Sequence, residues 1–172
     1  MIKTELCAAL LAITSLAASA QQAYPDAQPQ ASALQRGAVE GQAADVGTTA
    51  VGLALGATEA NPLGVVALGL KAVAYQSIKR ADPIEQPTLW SAYKAAGWGA
   101  AANNLCVIGI IFTAGAGAAV CPLVGLAAGL KAYSDDEEAR ERATFDAICD
   151  QERAANPAIT CTYTPRTKEA AQ

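Results

Sequence analysis

From residue 32 onward the chain alternates long apolar stretches of Ala, Gly, Leu and Val with short polar interruptions, and the interruptions mark the element boundaries. Ser32 followed by Gln35 is a capping-box pattern, and residues 33–58 run without proline and without charge from Val46 to Thr58, which predicts a first helix. Glu59-Ala60-Asn61-Pro62 interrupts it. Asn in a cap position with Pro in the first turn predicts a second helix from Pro62 to about Arg80, so residues 32–80 read as one helical hairpin. Residues 81–88, ADPIEQPT, hold two prolines and two acids and read as a surface loop. From Ala95 to Leu130 no residue carries a charge. A single helix of that length would reach roughly 54 Å, against a hydrocarbon core of about 30 Å, so the stretch predicts two helices joined near Gly115-Ala116-Gly117. They make a second hairpin over residues 89–133, with Pro122 in the first turn of its second helix, where proline is tolerated. Ser134-Asp135-Asp136-Glu137-Glu138 then reads as a capping box whose acids face the positive end of an amphipathic helix, residues 134–155. Residues 156–172 read as a polar tail. The expected fold class is all-α: two Ala/Gly-rich antiparallel helical hairpins packed as a four-helix unit, plus a peripheral acidic helix.

The first twenty residues have a different character. Lys3 and the amino terminus, the apolar stretch Leu6 to Leu16 and the small residues Ala18-Ser19-Ala20 form the pattern of a signal peptide cleaved before Gln21. Residues 21–31, QQAYPDAQPQA, then read as a flexible lead-in. The expected location is the bacterial cell envelope, at the inner membrane or in the periplasm. Cys7 would leave with the leader, and four cysteines remain in an oxidising compartment. Cys149 and Cys161 flank the turn residues Asn156-Pro157 and are the candidate disulfide. Cys106 and Cys121, set in Gly/Ala-rich apolar sequence, are expected as free, small core residues. There is no C-x-x-C pair.

Composition narrows the function. Hydrophobic residues are 52% of the 172 and charged residues only 16%, where an ordinary soluble domain carries about 25%. Twelve Lys and Arg against sixteen Asp and Glu leave no basic face for phosphates, which excludes nucleic acid as a partner. The absence of histidine removes Ser-His-Asp and Cys-His catalysis and His-ligated zinc and haem. No enzyme activity, cofactor or metal is therefore expected. Gly52 and Gly56, and Gly125 and Gly129, are spaced four apart like a glycine zipper, which permits close helix approach and self-association through Gly/Ala faces. Ala and Gly bury little apolar area in water, so insertion into a lipid bilayer is the preferred reading. The uncharged runs of the first hairpin, residues 46–58 and 60–70, are nonetheless short of the roughly 20 residues that a transmembrane helix needs.

Polar residues within this apolar sequence are the candidate site. Counted outward from the turn at residue 60, Asp45 and Lys71 differ in level by four residues, about 6 Å, which a lysine side chain spans. A charge stranded in hydrocarbon costs about 2.5–3.5 kcal/mol, so pairing is expected if that level is buried; otherwise Asp45 hydrates a helix end and Lys71 snorkels, and this unpaired arrangement is the preferred reading. Glu40 falls level with Lys79 and Arg80 as a second complementary layer. The candidate polar site is Asp45, Thr49, Glu59, Asn61 and Lys71, with Asn103 and Asn104 from the third helix. It has two readings. Either these residues line a path for an ion or proton, or Asn61 caps a helix, Glu59 faces solvent and the asparagines bond across helices as packing contacts; the second is preferred. Arg36, Lys79, Arg80, Lys94 and Lys131 all fall at the open ends of the hairpins, away from the turns at Asn61 and Gly115. Cleavage after a leader puts those ends outside, against the positive-inside tendency. A chain that crosses first and associates with the membrane afterwards as a folded helical assembly escapes that conflict.

The segments Asp45-Val-Gly-Thr-Thr49 and Gly56-Ala-Thr-Glu59-Ala-Asn61-Pro62 together resemble an Asp-x-x-x-Thr … Gly-x-x-Glu-x-Asn-Pro signature of small uncharacterised integral membrane proteins of bacteria and phages. The resemblance implies a membrane location, with the signature in the first helix and the turn into the second and a further helical pair after it. The function expected is that of a small exported helical membrane protein with a structural or interaction role. A transport or pore-forming element and a soluble periplasmic bundle are the alternatives.

Overall fold

The computed structural model describes residues 29–55, 64–111 and 118–165, and over these the protein is all-α. Five helices follow one another: α1 (Pro29–Ala54), α2 (Gly64–Arg80), α3 (Gln86–Ile111), α4 (Cys121–Asp135), entered through a 3-10 turn at Ala118–Val120, and α5 (Glu137–Ala155). The segments 56–63 and 112–117, where the two hairpin turns were expected, lie outside the described residues. So do residues 1–28, with the expected signal peptide and most of the lead-in, and residues 166–172 of the tail.

Three boundaries differ from the sequence reading, each for a local reason. Helix α1 opens at Pro29, a residue suited to a first helical position, so Ser32 lies inside the helix instead of capping it. The loop expected over residues 81–88 contracts to 81–85. Asp82 closes the turn by accepting from the backbone N–H of Ile84 on its side chain and from those of Glu85 and Gln86 on its carbonyl, and Gln86 reaches back to the carbonyl of Ala81. Helix α3 thus begins at Gln86, with Pro87 buried in its first turn. Ser134 does not cap the acidic helix: it continues α4, its hydroxyl donating to the carbonyl of Lys131, and the chain breaks direction one residue before Glu137, at Asp136.

Helix α3 is the centre of the molecule, with α1 on one side and α4 on the other. Two glycines separated by one residue make this possible, because positions two apart on a helix face nearly opposite directions. Gly97 meets α1 at Gly41 so closely that a Cβ on Gly97 would collide with the Gly41 backbone, and one on Gly41 would lie 2.8 Å from the carbonyl oxygen of Lys94. Gly99 meets α4: a Cβ on Gly125 would lie 2.7 Å from its carbonyl oxygen, and one on Gly129 would lie 2.9 Å from that of Ala95. The expected close approach through Gly125 and Gly129 is therefore a contact with α3. Helix α2 is held differently, meeting α1 through long side chains, with Gln35 Nε2 donating to Tyr75 Oη and Lys71 reaching Asp45.

Among the described residues, the core of large side chains lies in the half of the bundle that carries most of the charges, toward Arg36, Arg80 and α5. Leu34, Ala38, Ile78, Trp90 and Ala143 are buried together, with Tyr75 and Tyr93 packed edge-on against Trp90. Helix α5 closes this half through Ala139 and Ala143. Both remaining cysteine pairs are disulfide-bonded. Cys149–Cys161 ties the tail back to α5 as expected, where Tyr163 lies against Phe145. Cys106–Cys121 corrects the expectation of free cysteines: the start of α4 lies against the end of α3, and the two Cα atoms are 5.4 Å apart. Among the described residues no helix is long and apolar enough to cross a membrane.

Candidate functional site

The structure brings together three of the five expected site residues, Asp45, Thr49 and Lys71; Glu59 and Asn61 lie outside the described residues. Asp45 sits on the inner face of α1 and is 6% exposed. Its Oδ2 accepts from Lys71 Nζ and its Oδ1 accepts from Asn104 Nδ2 at 2.8 Å. The same Asn104 amide donates to Thr49 Oγ1 at 2.9 Å, so its two N–H bonds link two residues of one face of α1. Thr48 turns its hydroxyl back onto the carbonyls of Ala44 and Asp45. Lys71 reaches this network from α2. Its backbone carbonyl accepts from Tyr93 Oη at 3.0 Å, which brings α3 into the same network a second time. Burial raises the Tyr93 phenol above its usual 10.0, with a smaller contribution from Tyr75.

The two adjacent asparagines do different things. Asn104 faces α1 as the hub of the network, while the Asn103 side chain lies on the α4 side, where a Cβ on Gly125 would be 3.0 Å from its own Cβ. The second expected layer does not form an ion pair among the described residues: Glu40 and Arg80 are exposed and Lys79 lies over the ring of Tyr75.

A second buried network, absent from the sequence reading, sits at the α4–α5 joint. Asp136, 8% exposed, accepts from Ser91 Oγ at 3.1 Å on Oδ2 and from Lys94 Nζ at 2.8 Å on Oδ1. Arg140 donates to Ser91 Oγ and to the Tyr133 carbonyl while its guanidinium covers the Tyr133 ring. In sequence Asp136 is one acid in a run of four, so only the break between two helices distinguishes it from its neighbours.

These contacts define levels along the bundle. Lys94 lies against Gly37, Lys131 is two residues beyond the Gly129 that rests on Ala95, and Lys71 meets Tyr93. Lys71, Lys94 and Lys131 thus fall within about one helical turn of each other along the axis. Beyond that waist, toward the last residues of α1 and α3 and the first of α2 and α4, Asp45 is the only charged side chain among the described residues, and Lys71 neutralises it. In that half most large apolar side chains among the described residues point outward: Leu70 and Leu123 are 64% exposed, and Val51, Leu53, Leu105, Leu126 and Leu130 are exposed as well, while Val46, Ile108 and Ile110 are half-buried. Ala, Gly and the Cys106–Cys121 bridge fill the inside.

Chemically, Asp45 is a carboxylate whose two oxygens are both engaged by donors from other helices, an arrangement that positions elements. Among the described residues no group of His, Cys, Asp and Glu is placed to hold a metal ion. Comparison of the chain with protein-family models, with curated proteins and with solved structures gives no match.

Proposed function

We propose that this protein is an exported helical bundle that embeds its hairpin end in a lipid bilayer and has a structural or interaction role. One observation carries the reading: the charged half buries a cluster of large side chains, although Val73, Leu89 and Ile148 are exposed there, whereas in the uncharged half no large apolar side chain among the described residues is buried and most are exposed. In water the second arrangement leaves apolar area exposed on α1, α2, α3 and α4 alike, as a belt and not as a single patch. A protein partner covers one side of a bundle, whereas lipid covers all sides, and small residues inside with large ones outside is the packing that lipid favours. Lys131, whose side chain is 75% exposed, then stands at a level where it can reach headgroups, while Lys71 and Lys94 neutralise Asp45 and Asp136 inside the bundle. The likeness of Asp45 to Thr49 and of the following turn to a membrane-protein signature, and the leader-like first twenty residues, support the same reading. A transport role draws less support, because Asp45, Thr49, Lys71 and Asn104 direct their polar atoms at one another.

The test is alkaline carbonate extraction of membranes from cells expressing the tagged chain, combined with flotation of purified protein on phospholipid vesicles. Retention in the carbonate pellet and co-flotation are expected. Release into the supernatant together with failure to float would instead make this a soluble or peripheral bundle of the export compartment.

A further inference from the structure

We infer that the Cys106–Cys121 bridge closes in water before the uncharged half of the bundle enters lipid, so that oxidation precedes membrane insertion. This rests on the membrane reading above. Cys106 lies twelve residues past Lys94 along α3, roughly 18 Å toward the end of that helix. Cys121 is 1% exposed, and the side chains flanking the bridge, Leu105, Val107, Val120 and Leu123, point outward. In a bilayer those side chains meet acyl chains, and the sulfur pair sits far below any headgroup.

The chemistry of closure needs water at that place. One cysteine reacts as its thiolate with a disulfide oxidant, either a small-molecule or a protein disulfide, to give a mixed disulfide. The second thiolate then attacks the cysteine sulfur of the mixed disulfide and displaces the oxidant's sulfur, so that the new S–S bond forms at the expense of the oxidant's own, and the two electrons and two thiol protons leave with the oxidant as two thiol groups. Hydrocarbon suppresses the thiolate and keeps out polar oxidants, so a hairpin already in lipid cannot take either step at a useful rate. The α3–α4 seam is suited to form beforehand, because Gly99, Gly125 and Gly129 bring the two backbones together without lipid and set the cysteines side by side. Cys149–Cys161 is the internal reference: it joins α5 to the tail in the charged half, where a water-soluble oxidant has access in either state. The order also removes the conflict between leader and lysines. A bundle folded outside enters lipid by its uncharged end, and Lys71, Lys94 and Lys131 cross nothing.

Purified full-length protein is reduced, and oxidised glutathione is then added either before or after vesicles of phosphatidylethanolamine and phosphatidylglycerol. Each bridge is followed by alkylation and peptide mass. With oxidant first, both bridges form and the protein floats. With vesicles first, Cys149–Cys161 forms as before while formation of Cys106–Cys121 falls about tenfold or more. Reduced protein that fails to float until it is oxidised supports the same order more strongly. Equal formation of Cys106–Cys121 in both orders, on protein that floats, overturns the inference and leaves the membrane reading standing. Oxidised protein that does not float removes both.

Discussion

Asp45 shows how much of this molecule turns on one carboxylate. It is buried, and its oxygens are satisfied by Lys71 and Asn104 from two different helices. The two donors are not equivalent. Lys71 keeps 28% of its side chain exposed and can turn to solvent if its partner is lost. The Asn104 amide has no such escape from its place between α1 and α3. Asn104→Leu therefore leaves a buried carboxylate oxygen and Thr49 without their donor, at a cost of about 1–3 kcal/mol. Lys71→Met costs less, and a double-mutant cycle between Asp45→Asn and Lys71→Met gives a coupling of about 1 kcal/mol. Urea unfolding followed by circular dichroism, with both disulfides intact, measures all three. Tyr93 adds a pH dependence. Its phenol is raised by burial, so the unfolded chain releases that proton near 10.0 while the folded one still holds it. Stability from this group is complete below 10.0 and is lost as pH rises through the higher folded value. Tyr93→Phe flattens the alkaline limb of a urea-midpoint profile; an unchanged limb would mean that the phenol is not buried in solution as it is here.

At the scale of elements the determinant is close approach, and glycine position separates contacts from vacancies. Gly97 and Gly125 each face the backbone of a neighbouring helix, whereas nothing lies within 4 Å of a Cβ placed on Gly47 or Gly69. Gly97→Ala is expected to push α1 off α3 and cost about 1–3 kcal/mol, like other overpacking substitutions. Gly47→Ala, at an open helical site, is expected to stabilise by about 0.5–1 kcal/mol through helix propensity alone. Opposite signs from two identical substitutions in adjacent helices, read as shifts in urea midpoint, test the packing directly.

These elements also show what was readable from sequence. Helix number and type were readable, because Pro62, the two prolines of 81–88 and the long uncharged run punctuate the chain. Counting along a hairpin put Asp45 and Lys71 within reach of each other but did not decide between a pair and two solvated ends, which depends on the burial of Asp45 between α1 and its neighbours. What could not be read was which helices touch. With Ala and Gly on every face, no stripe identifies a partner, so Gly97 and Gly99 carry no signal until α3 is seen between α1 and α4. Asp136 and Cys106 were obscure for the same reason, since their partners Ser91, Lys94 and Cys121 depend on how α4 lies on α3.

For the whole molecule, the contrast between a half that buries a cluster of large side chains and a half whose described large side chains are mostly exposed sets an experiment that separates folding from lipid binding. Leu53 and Leu123 are exposed, at 43% and 64%, and neither belongs to the buried core cluster. Replacing either by Lys changes a solvated position, for which the expected effect on aqueous unfolding is within about 0.5 kcal/mol. In lipid the same lysine must be carried into the hydrocarbon, at about 2.5–3.5 kcal/mol. Vesicle affinity should therefore fall by roughly a hundredfold for Leu53→Lys and for Leu123→Lys with the urea midpoint unmoved. Gln76→Lys, on the exposed face of α2 in the charged half, carries the same added charge and should leave vesicle affinity unchanged or slightly higher on anionic lipid. If all three variants bind alike, the outward leucines do not meet acyl chains, and their exposure must instead be relieved by contact with protein; a shift in sedimentation confined to Leu53→Lys and Leu123→Lys would then identify that contact as one between copies of this chain.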